Sequence, residues 1–505
     1  MKLNIGKMTL YSAFCVLALL TSSCGGEKND EPQTPGETGN QPSTETTASA
    51  DVKKWTTNAT RYYSLTEGSI AFDSVSAPAS TTIKLQPDVT YQEIDGFGAA
   101  ITGSTAYNLM RMAQPVRTEF LKRTFSPTEG YGMSYIRVPI GCSDFSLSEY
   151  TLCDKPGIEN FALTNEETSY IIPVLKEILS INPQIKILSS PWTAPRWMKL
   201  FESWENKNTD ASKWTGGYLN PEYYDAYAEY FVKFIQAMKD NGITIHAVTM
   251  QNEPLNRGNS ASMYMGWEQQ RDFVKVLGPK MKAAGLDTKI YAFDHNYNYD
   301  DIADQKSYPV KIYGDSEASQ WLAGAAYHNY GGNVNELNTV HNAAPDKELI
   351  FTESTAGDWN DGSNLYTRLN DDMEQICLGT VNRWSRGAII WNLMLDSRRG
   401  PNRPGGCTTG FGAVDIEPDY KTIRLNSFYY IMAHMSAGVK PGAKRIGTSG
   451  YSKSGLTYSA FVNPDNSYAL VLSNSSTADI KLNVDDTTHH FPVTIPAKGI
   501  VTVLW

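Results

Sequence analysis

His246-Ala-Val-Thr-Met-Gln-Asn-Glu253-Pro254 and Glu348-Leu-Ile-Phe-Thr-Glu353-Ser354 decide how this chain reads. Each is a short apolar run that closes on a glutamate. Runs of this length, bounded by turn signals and rich in β-branched residues, read as strands buried on both faces. Strands of that kind belong to parallel sheets covered by helices. Both glutamates then fall where a strand gives way to a loop.

Working outward from these two runs, the middle of the chain offers further strands of the same type. The candidates are Gln92 to Ala99, Tyr135 to Ile140, Ile185 to Ser190, Ile245 to Gln251, Lys289 to Asp294, Gly324 to His328, Glu348 to Glu353 and Gly387 to Leu393. Helical stripes lie between many of them. Tyr170 to Ser180 carries Ile171, Val174, Leu175, Ile178 and Leu179 on one face. Asn220-Pro221 opens another helix with a capping side chain and a proline in its first turn, and Gly242 suits its stop. Alternation of strand and helix predicts a parallel sheet with crossover helices, and eight repeats predict closure into a (β/α)8 barrel. The two ends of the chain differ. Residues 52–90 and 440–505 alternate apolar and polar side chains, as antiparallel strands do. The simplest account pairs these ends into one side β-domain, with the barrel inserted between them.

The chain has 505 residues and a formal net charge of -10, with no long basic run outside its extreme N-terminus. That balance argues against a nucleic-acid partner and suits a neutral or weakly charged substrate. Lys2 and Lys7 followed by the mostly apolar stretch Met8 to Leu20 read as an export signal, too short for a comfortable membrane span. Leu20-Thr-Ser-Ser-Cys24-Gly25 resembles a bacterial lipobox, which makes Cys24 the expected lipidation site and membrane contact a matter of that lipid alone. Residues 24–51 read as a polar tether. Glu27, Asp30 and Glu31 resemble the export tag of surface lipoproteins in Bacteroidetes, so the expected location is the outer membrane, facing outward. The expected divisions are a signal at 1–23, a tether at 24–51, N-terminal strands at 52–90, a barrel at 91–435 and C-terminal strands at 436–505. With Cys15 lost and Cys24 lipidated, Cys142, Cys153, Cys377 and Cys407 allow three full pairings or four free thiols. None has metal-site spacing, and the histidines form no persuasive constellation, so no metal or cofactor is expected.

Glu253 ends the fourth candidate strand and Glu353 the seventh, 100 residues later. Only tertiary structure brings them together. Two carboxylates at one mouth of a barrel are the equipment of glycoside hydrolysis. The surrounding motifs resemble glycoside hydrolase family 30, the glucosylceramidase-like enzymes. They are Gly96-Phe-Gly98, Ile136-Arg-Val-Pro139, Ser143-Asp-Phe-Ser146, Ser190-Pro-Trp-Thr-Ala-Pro195, Gln251-Asn-Glu-Pro254, His328-Asn-Tyr330, Phe351-Thr-Glu-Ser354 and Trp391-Asn-Leu393. The resemblance covers roughly residues 90–505. It implies a TIM barrel with a fused side β-sandwich built from N- and C-terminal strands. It also implies a retaining mechanism, with Glu253 as acid/base and Glu353 as nucleophile. The ionised Glu353 is then expected to keep Glu253 protonated. Asn252 is expected to bond the sugar 2-hydroxyl, and Arg137 to pair with Glu353. Asp144 is expected to bind sugar hydroxyls, Trp192 and Trp391 to line the innermost sugar site, Tyr330 to hydrogen-bond Glu353 and His328 to orient the site.

After the eighth strand, Pro401-Asn402 is followed by Arg403, where familiar glucosylceramidases tend to carry an aromatic residue. Asp294-His-Asn-Tyr297-Asn-Tyr299, after the fifth strand, is rich in rings and suits recognition of additional sugars. These departures favour a glucan over a lipid-headed substrate, and bacterial surface members of the family include endo-β-1,6-glucanases. The chain is therefore expected to be a monomeric endo-β-1,6-glucanase acting on β-glucan or its oligosaccharides. The alternatives within the family are a glucosylceramidase, a β-glucosidase and a β-xylosidase or xylanase. From another class comes a non-catalytic glycan-binding surface lipoprotein.

Overall fold

The computed structural model describes residues 51–75, 77–201, 213–297 and 302–505. Cys24, the export signal and the tether lie outside these residues, as does Tyr299.

Eight parallel strands form the central sheet: β1 (Gly96–Ala99), β2 (Tyr135–Pro139), β3 (Lys186–Ser190), β4 (Ala247–Thr249), β5 (Lys289–Asn296), β6 (Gly324–His328), β7 (Glu348–Glu353) and β8 (Ser385–Ile390). From β2 to β8 each pairs with its neighbours in chain order, and β8 pairs with β1. The Ala100–Arg137 bridge and the Ser134 N–H to Phe97 C=O bond at 2.9 Å close the ring between β1 and β2. Closure brings backbones together at Gly98, where an added Cβ would lie 2.0 Å from the Tyr135 carbonyl oxygen. Inside the ring, Tyr135, Leu188, Ala247, Tyr291, Ala326, Ile350 and Ile389, one from each of β2 to β8, pack as one buried layer. The barrel is thus a filled core that presents its strand ends at one mouth.

The first candidate strand divides in two. Thr82–Glu93 is a long strand of the side sheet, and only Gly96–Ala99 enters the barrel. Between them Gly96 takes φ 143°, a conformation glycine permits, and Asp95 pairs with Arg386 at 2.9 Å and with Lys186 at 2.5 Å. The fourth candidate shortens to Ala247–Thr249, so Glu253 stands four residues beyond its strand rather than at its end. The helices follow the sequence signals closely. The Asn220 side chain accepts the Glu222 N–H at 3.1 Å, a short 3-10 turn leads into the helix Tyr224–Asp240, and Gly242 follows with φ 79°.

The two ends of the chain build a nine-stranded side sheet. Val52–Asn58 runs antiparallel to Gly499–Leu504, which in turn pairs with Tyr468–Asn474. Alternation sorts the side chains between two cores. Leu470, Leu472, Val501 and Val503 pack within the sandwich, whereas Ala469, Val471 and Ile500 face the barrel. The buried helix Ser427–Gly438 lies between the two, and its His434 bonds Thr57 Oγ1 at 2.9 Å and Thr502 Oγ1 at 3.0 Å. Burial pushes that imidazole down to about 3, so it joins the N- and C-terminal strands as a neutral group. Cys142, Cys153, Cys377 and Cys407 are all free thiols.

Candidate active site

Arg137, on β2, is the hub of the barrel mouth. It is fully buried, and a buried guanidinium is stable only where carboxylates and other acceptors surround it. One terminal nitrogen donates to Glu353 at the end of β7. The other donates to Asn252 Oδ1 at 2.7 Å and to Asp294 Oδ2 at 2.8 Å, and Nε donates to Ser190 Oγ at 3.3 Å. Its charge lies 5.0 and 5.3 Å from the ring centres of Trp192 and Trp391, which stack on each other at 4.7 Å.

Asp294 is the residue that the strand-end reasoning passed over. It closes the apolar run Ile290-Tyr-Ala-Phe293 of β5, just as the two glutamates close theirs, so the same signal was available for it. Here the strand bulges: Phe293 and Asp294 have φ of 69° and 71°, and the register with β6 shifts. The bulge turns Asp294 inward, where burial raises its carboxyl but Arg137 and His328 outweigh that and hold it ionised. The ring-rich loop expected here does not reach substrate through Tyr297. That side chain is buried and stacks on Tyr327 at 5.6 Å.

Glu253 leaves β4 through a tight turn and takes φ 45°, uncommon for a residue with a Cβ. Its N–H donates to the Asp294 carbonyl at 2.9 Å, which fixes that conformation. Oε1 faces His328 Nδ1 at 3.3 Å, and Oε2 accepts from Asn256 at 2.7 Å and Asn259 at 3.3 Å. Glu353, besides Arg137, accepts from the Tyr330 hydroxyl at 3.0 Å. One oxygen of each glutamate and a nitrogen of His328 all lie within 4.8 Å of one another. Those three groups could chelate a metal, but their oxygens are already met by an arginine, two asparagine amides and a tyrosine hydroxyl. The surroundings suit proton transfer better than cation binding.

A cavity of about 440 Å³ opens over this pair, and Asp144, Glu253, Tyr330 and Glu353 reach its wall. Arg137, Trp192, Asn252, His328 and Trp391 stand buried behind them. Asp144 accepts the Trp391 Nε1–H at 3.1 Å. Burial and the field of Glu353 push its carboxyl up to about 7. The surroundings pull the two glutamates in opposite directions. Burial favours the neutral form of Glu253, but the hydrogen bond from His328 and, in the acid range where His295 is itself protonated, the charge of His295 bring it down to about 2. Burial pushes Glu353 up, and the charge of Glu253 adds to that push. His328, left out of reasoning from the two carboxylates alone, supplies the largest pull on Glu253 toward the ionised form.

Three further wall residues escaped the sequence reading. Asn256 and Asn259 hold Glu253, and nothing in a lone asparagine marks it for that task. Trp359 is 54% exposed at the cavity and sits against Gly357, where an added Cβ would fall 2.2 Å from its ring. Arg403, read as a departure bearing on the choice of substrate, is buried. It donates to the carbonyls of Ser143 at 2.8 Å, Ser260 at 2.6 Å and Pro404 at 3.0 Å, and pairs with Glu149 at 3.2 Å. It thereby ties together the loops after β2, β4 and β8 that carry Asp144, Asn259 and the Gly405-Gly406 wall.

Two carboxylates this close, one beside a proton source and one beside an arginine, can attack a carbon from one side and protonate a leaving oxygen on the other. Comparison with known proteins agrees. The model of the glycosyl hydrolase family 30 TIM-barrel domain matches residues 94–439, and that of the family 30 beta sandwich domain matches residues 442–503. The solved endo-beta1,6-glucanase BT3312 is 58% identical, with a TM-score of 0.86 over 90% of this chain and 99% of its own. An endo-1,6-beta-D-glucanase of Trichoderma harzianum is 31% identical over 90% of this chain and 93% of its own length. The lysosomal acid glucosylceramidase of Mus musculus is 29% identical over 84% and 83%. The chain is a glycosidase belonging to glycosyl hydrolase family 30.

Proposed function

We propose that the chain is an endo-β-1,6-glucanase that works by double displacement, with Glu353 as nucleophile and Glu253 as acid/base. The observation that carries this reading is the approach of the two buried glutamates to within 4.8 Å. Retaining glycosidases hold their carboxyl groups about 5–5.5 Å apart, whereas inverting ones leave about 6.5–9.5 Å for a water. Glu353 attacks the anomeric carbon. Arg137 and Tyr330 steady its charge. Glu253 delivers a proton to the departing oxygen and later takes one from the attacking water. Asp144 meets sugar hydroxyls, Trp192 and Trp391 back the innermost sugar, and Asn252, held by Arg137, faces its 2-hydroxyl.

The linkage rests on likeness. The endo-β-1,6-glucanase neighbour shares 58% of its residues, twice the identity of the glucosylceramidase. Incubation with β-1,6-glucan, β-1,3-glucan, xylan and a glucosyl lipid tests the reading. The expected result is a ladder of short oligosaccharides from β-1,6-glucan and little from the others. No reducing sugar from β-1,6-glucan sinks the linkage, and none from any of the four sinks the catalytic role.

The export reading belongs to the same proposal. Cys24 carries a lipid that anchors a monomeric enzyme on the outer face of the outer membrane, where large glucans are accessible. Cys24→Ala is expected to move the protein from the membrane pellet to the soluble fraction. A variant that stays in the pellet removes the lipid anchor.

A further inference from the structure

His328 is fully buried, and a carboxylate oxygen faces each of its ring nitrogens. Nε2 lies 3.0 Å from Asp294 Oδ1, and Nδ1 lies 3.3 Å from Glu253 Oε1. A neutral imidazole has a single N–H and can satisfy only one of them. Two ionised carboxylates at both nitrogens require one more proton, and counting donors locates it. Asp294 has no room for it. Oδ1 also accepts the Thr352 hydroxyl at 2.6 Å, while Oδ2 accepts Arg137 at 2.8 Å and a hydroxyl proton from the Thr249–Ser190 pair, whose oxygens lie 2.6 and 3.1 Å away and 2.6 Å from each other. Nε2 therefore carries hydrogen throughout. Glu253 Oε2 is closed as well, because two amides donate to it. The Asn256 amide cannot flip without losing the N–H bonds of Gly258 at 2.8 Å and Asn259 at 3.2 Å that its oxygen accepts. The extra proton is left on the line between His328 Nδ1 and Glu253 Oε1.

We propose that His328 stores the catalytic proton: in the free enzyme it rests on Nδ1, and Glu253 receives it only as the glycosidic oxygen is seated. This rests on the functional reading above. In the first half-reaction the Nδ1–H bond breaks as Oε1–H forms. Oε1–H then breaks as the proton passes to the leaving oxygen. The bond from the anomeric carbon to that oxygen breaks with its electron pair on the oxygen, while a Glu353 oxygen bonds the carbon. His328 is then neutral and Glu253 ionised. In the second half a water O–H breaks toward Glu253 Oε1, and the proton returns to Nδ1. The water oxygen bonds the anomeric carbon as the ester bond to Glu353 breaks. One glycosidic bond and one water are consumed, and nothing is oxidised. Asp294 keeps its charge through both halves and makes His328 a positioning residue that acts through Glu253.

The neighbours of the ring agree with a stored proton. Glu353 Oε1 lies 3.8 Å from Nδ1, and the rings of Tyr330 and His295 lie 6.1 and 6.4 Å away. Burial holds His295 down to about 4, so it adds no competing charge near neutrality. Arg137 reaches the ring only through Asp294 and Glu353, both of which it touches. Burial opposes a charged His328, but the field of Glu353 and the bonds to Asp294 and Glu253 lift it to about 9.

The test compares wild type with His328→Asn and His328→Gln on two substrates across pH. A β-1,6-linked gluco-oligosaccharide has a poor leaving group that needs the proton, and 2,4-dinitrophenyl β-glucoside has one that does not. On the oligosaccharide, kcat/KM is expected to fall by about 10²–10³-fold, with its alkaline limb displaced toward acid. The activated glucoside is expected to lose far less. Equal losses on both substrates, or an unmoved alkaline limb, overturn the proposal. Nitrogen NMR of the 15N-histidine-labelled wild type gives a second reading that no misfolded variant can spoil. Both ring nitrogens of one buried histidine are expected to carry hydrogen at neutral pH, and seven histidines with at most one N–H each overturn the stored proton. If wild type hydrolyses neither compound, the functional reading fails, and the NMR result still decides where the proton lies.

Discussion

Glu353→Gln is expected to lower turnover of β-1,6-linked oligosaccharides by roughly 10⁴-fold or more, the scale on which removal of a nucleophile is felt. An amide oxygen is too poor a nucleophile to open a glycosidic bond. The fold is expected to survive. Glutamine keeps an oxygen for Arg137 and Tyr330, and Arg137 retains Asp294 at 2.8 Å, so no buried charge is orphaned. A thermal midpoint near that of wild type therefore accompanies the loss. Glu353→Gly extends the test, because it opens space for azide where the carboxylate stood. Attack from that side inverts a β-linked substrate, so the product is the α-glycosyl azide. Substantial hydrolysis by Glu353→Gln, or a β-azide from Glu353→Gly, removes Glu353 from the nucleophile's role.

The architecture was legible because its signals are local and repeated. The barrel strands are mostly short apolar runs, and helices such as Tyr224–Asp240 show one apolar stripe. Both follow from burial on two faces or on one. What escaped were the places where a glycine or a polar residue redirects the chain. Gln92 to Ala99 reads as one strand, yet φ 143° at Gly96 hands it from the side sheet to the barrel. β4 ends at Thr249, although Met250 and Gln251 are as buried as the strand itself. Hydropathy reports that a residue is enclosed, and the hydrogen bonds that decide whether it is strand lie in partners far along the chain.

The site divides in the same way. Strand-end carboxylates can be seen without a structure, because position and residue type together mark them. Asp294 carries the same mark at the end of the fifth candidate strand. Arg403 shows the limit more plainly. Its neighbours in sequence mark only a departure from the family pattern, whereas its partners Ser143, Glu149 and Ser260 lie 143 to 260 positions away. A side chain that ties three loops leaves no local pattern. The protonation of His328 is likewise invisible in the sequence, since it depends on two carboxylates brought in by β5 and by the loop after β4.

Glu253→Gln is expected to separate the two halves of the reaction. With a β-1,6-linked oligosaccharide the departing alcohol is a poor leaving group, and loss of the acid is expected to cost about 10²–10⁴-fold. With 2,4-dinitrophenyl β-glucoside the phenolate leaves unaided, so Glu353 still forms the glycosyl-enzyme. Its release then stalls, because no base takes the proton from water. The expected trace is a burst of dinitrophenolate equal to the enzyme present, followed by slow turnover. Azide needs no base, and its addition is expected to restore turnover of the activated glucoside while leaving the oligosaccharide rate low. It attacks the α-linked intermediate from the side that Glu253 faces, so its product is the β-glycosyl azide. That is the opposite anomer to the one expected from Glu353→Gly. The two glutamates stand within 4.8 Å of each other and share His328 as a neighbour, so proximity cannot tell acid from nucleophile. The anomeric configuration of the two azides can. If both variants gave the same anomer, or if azide left Glu253→Gln unchanged on the activated glucoside, the division of roles between the pair would be wrong.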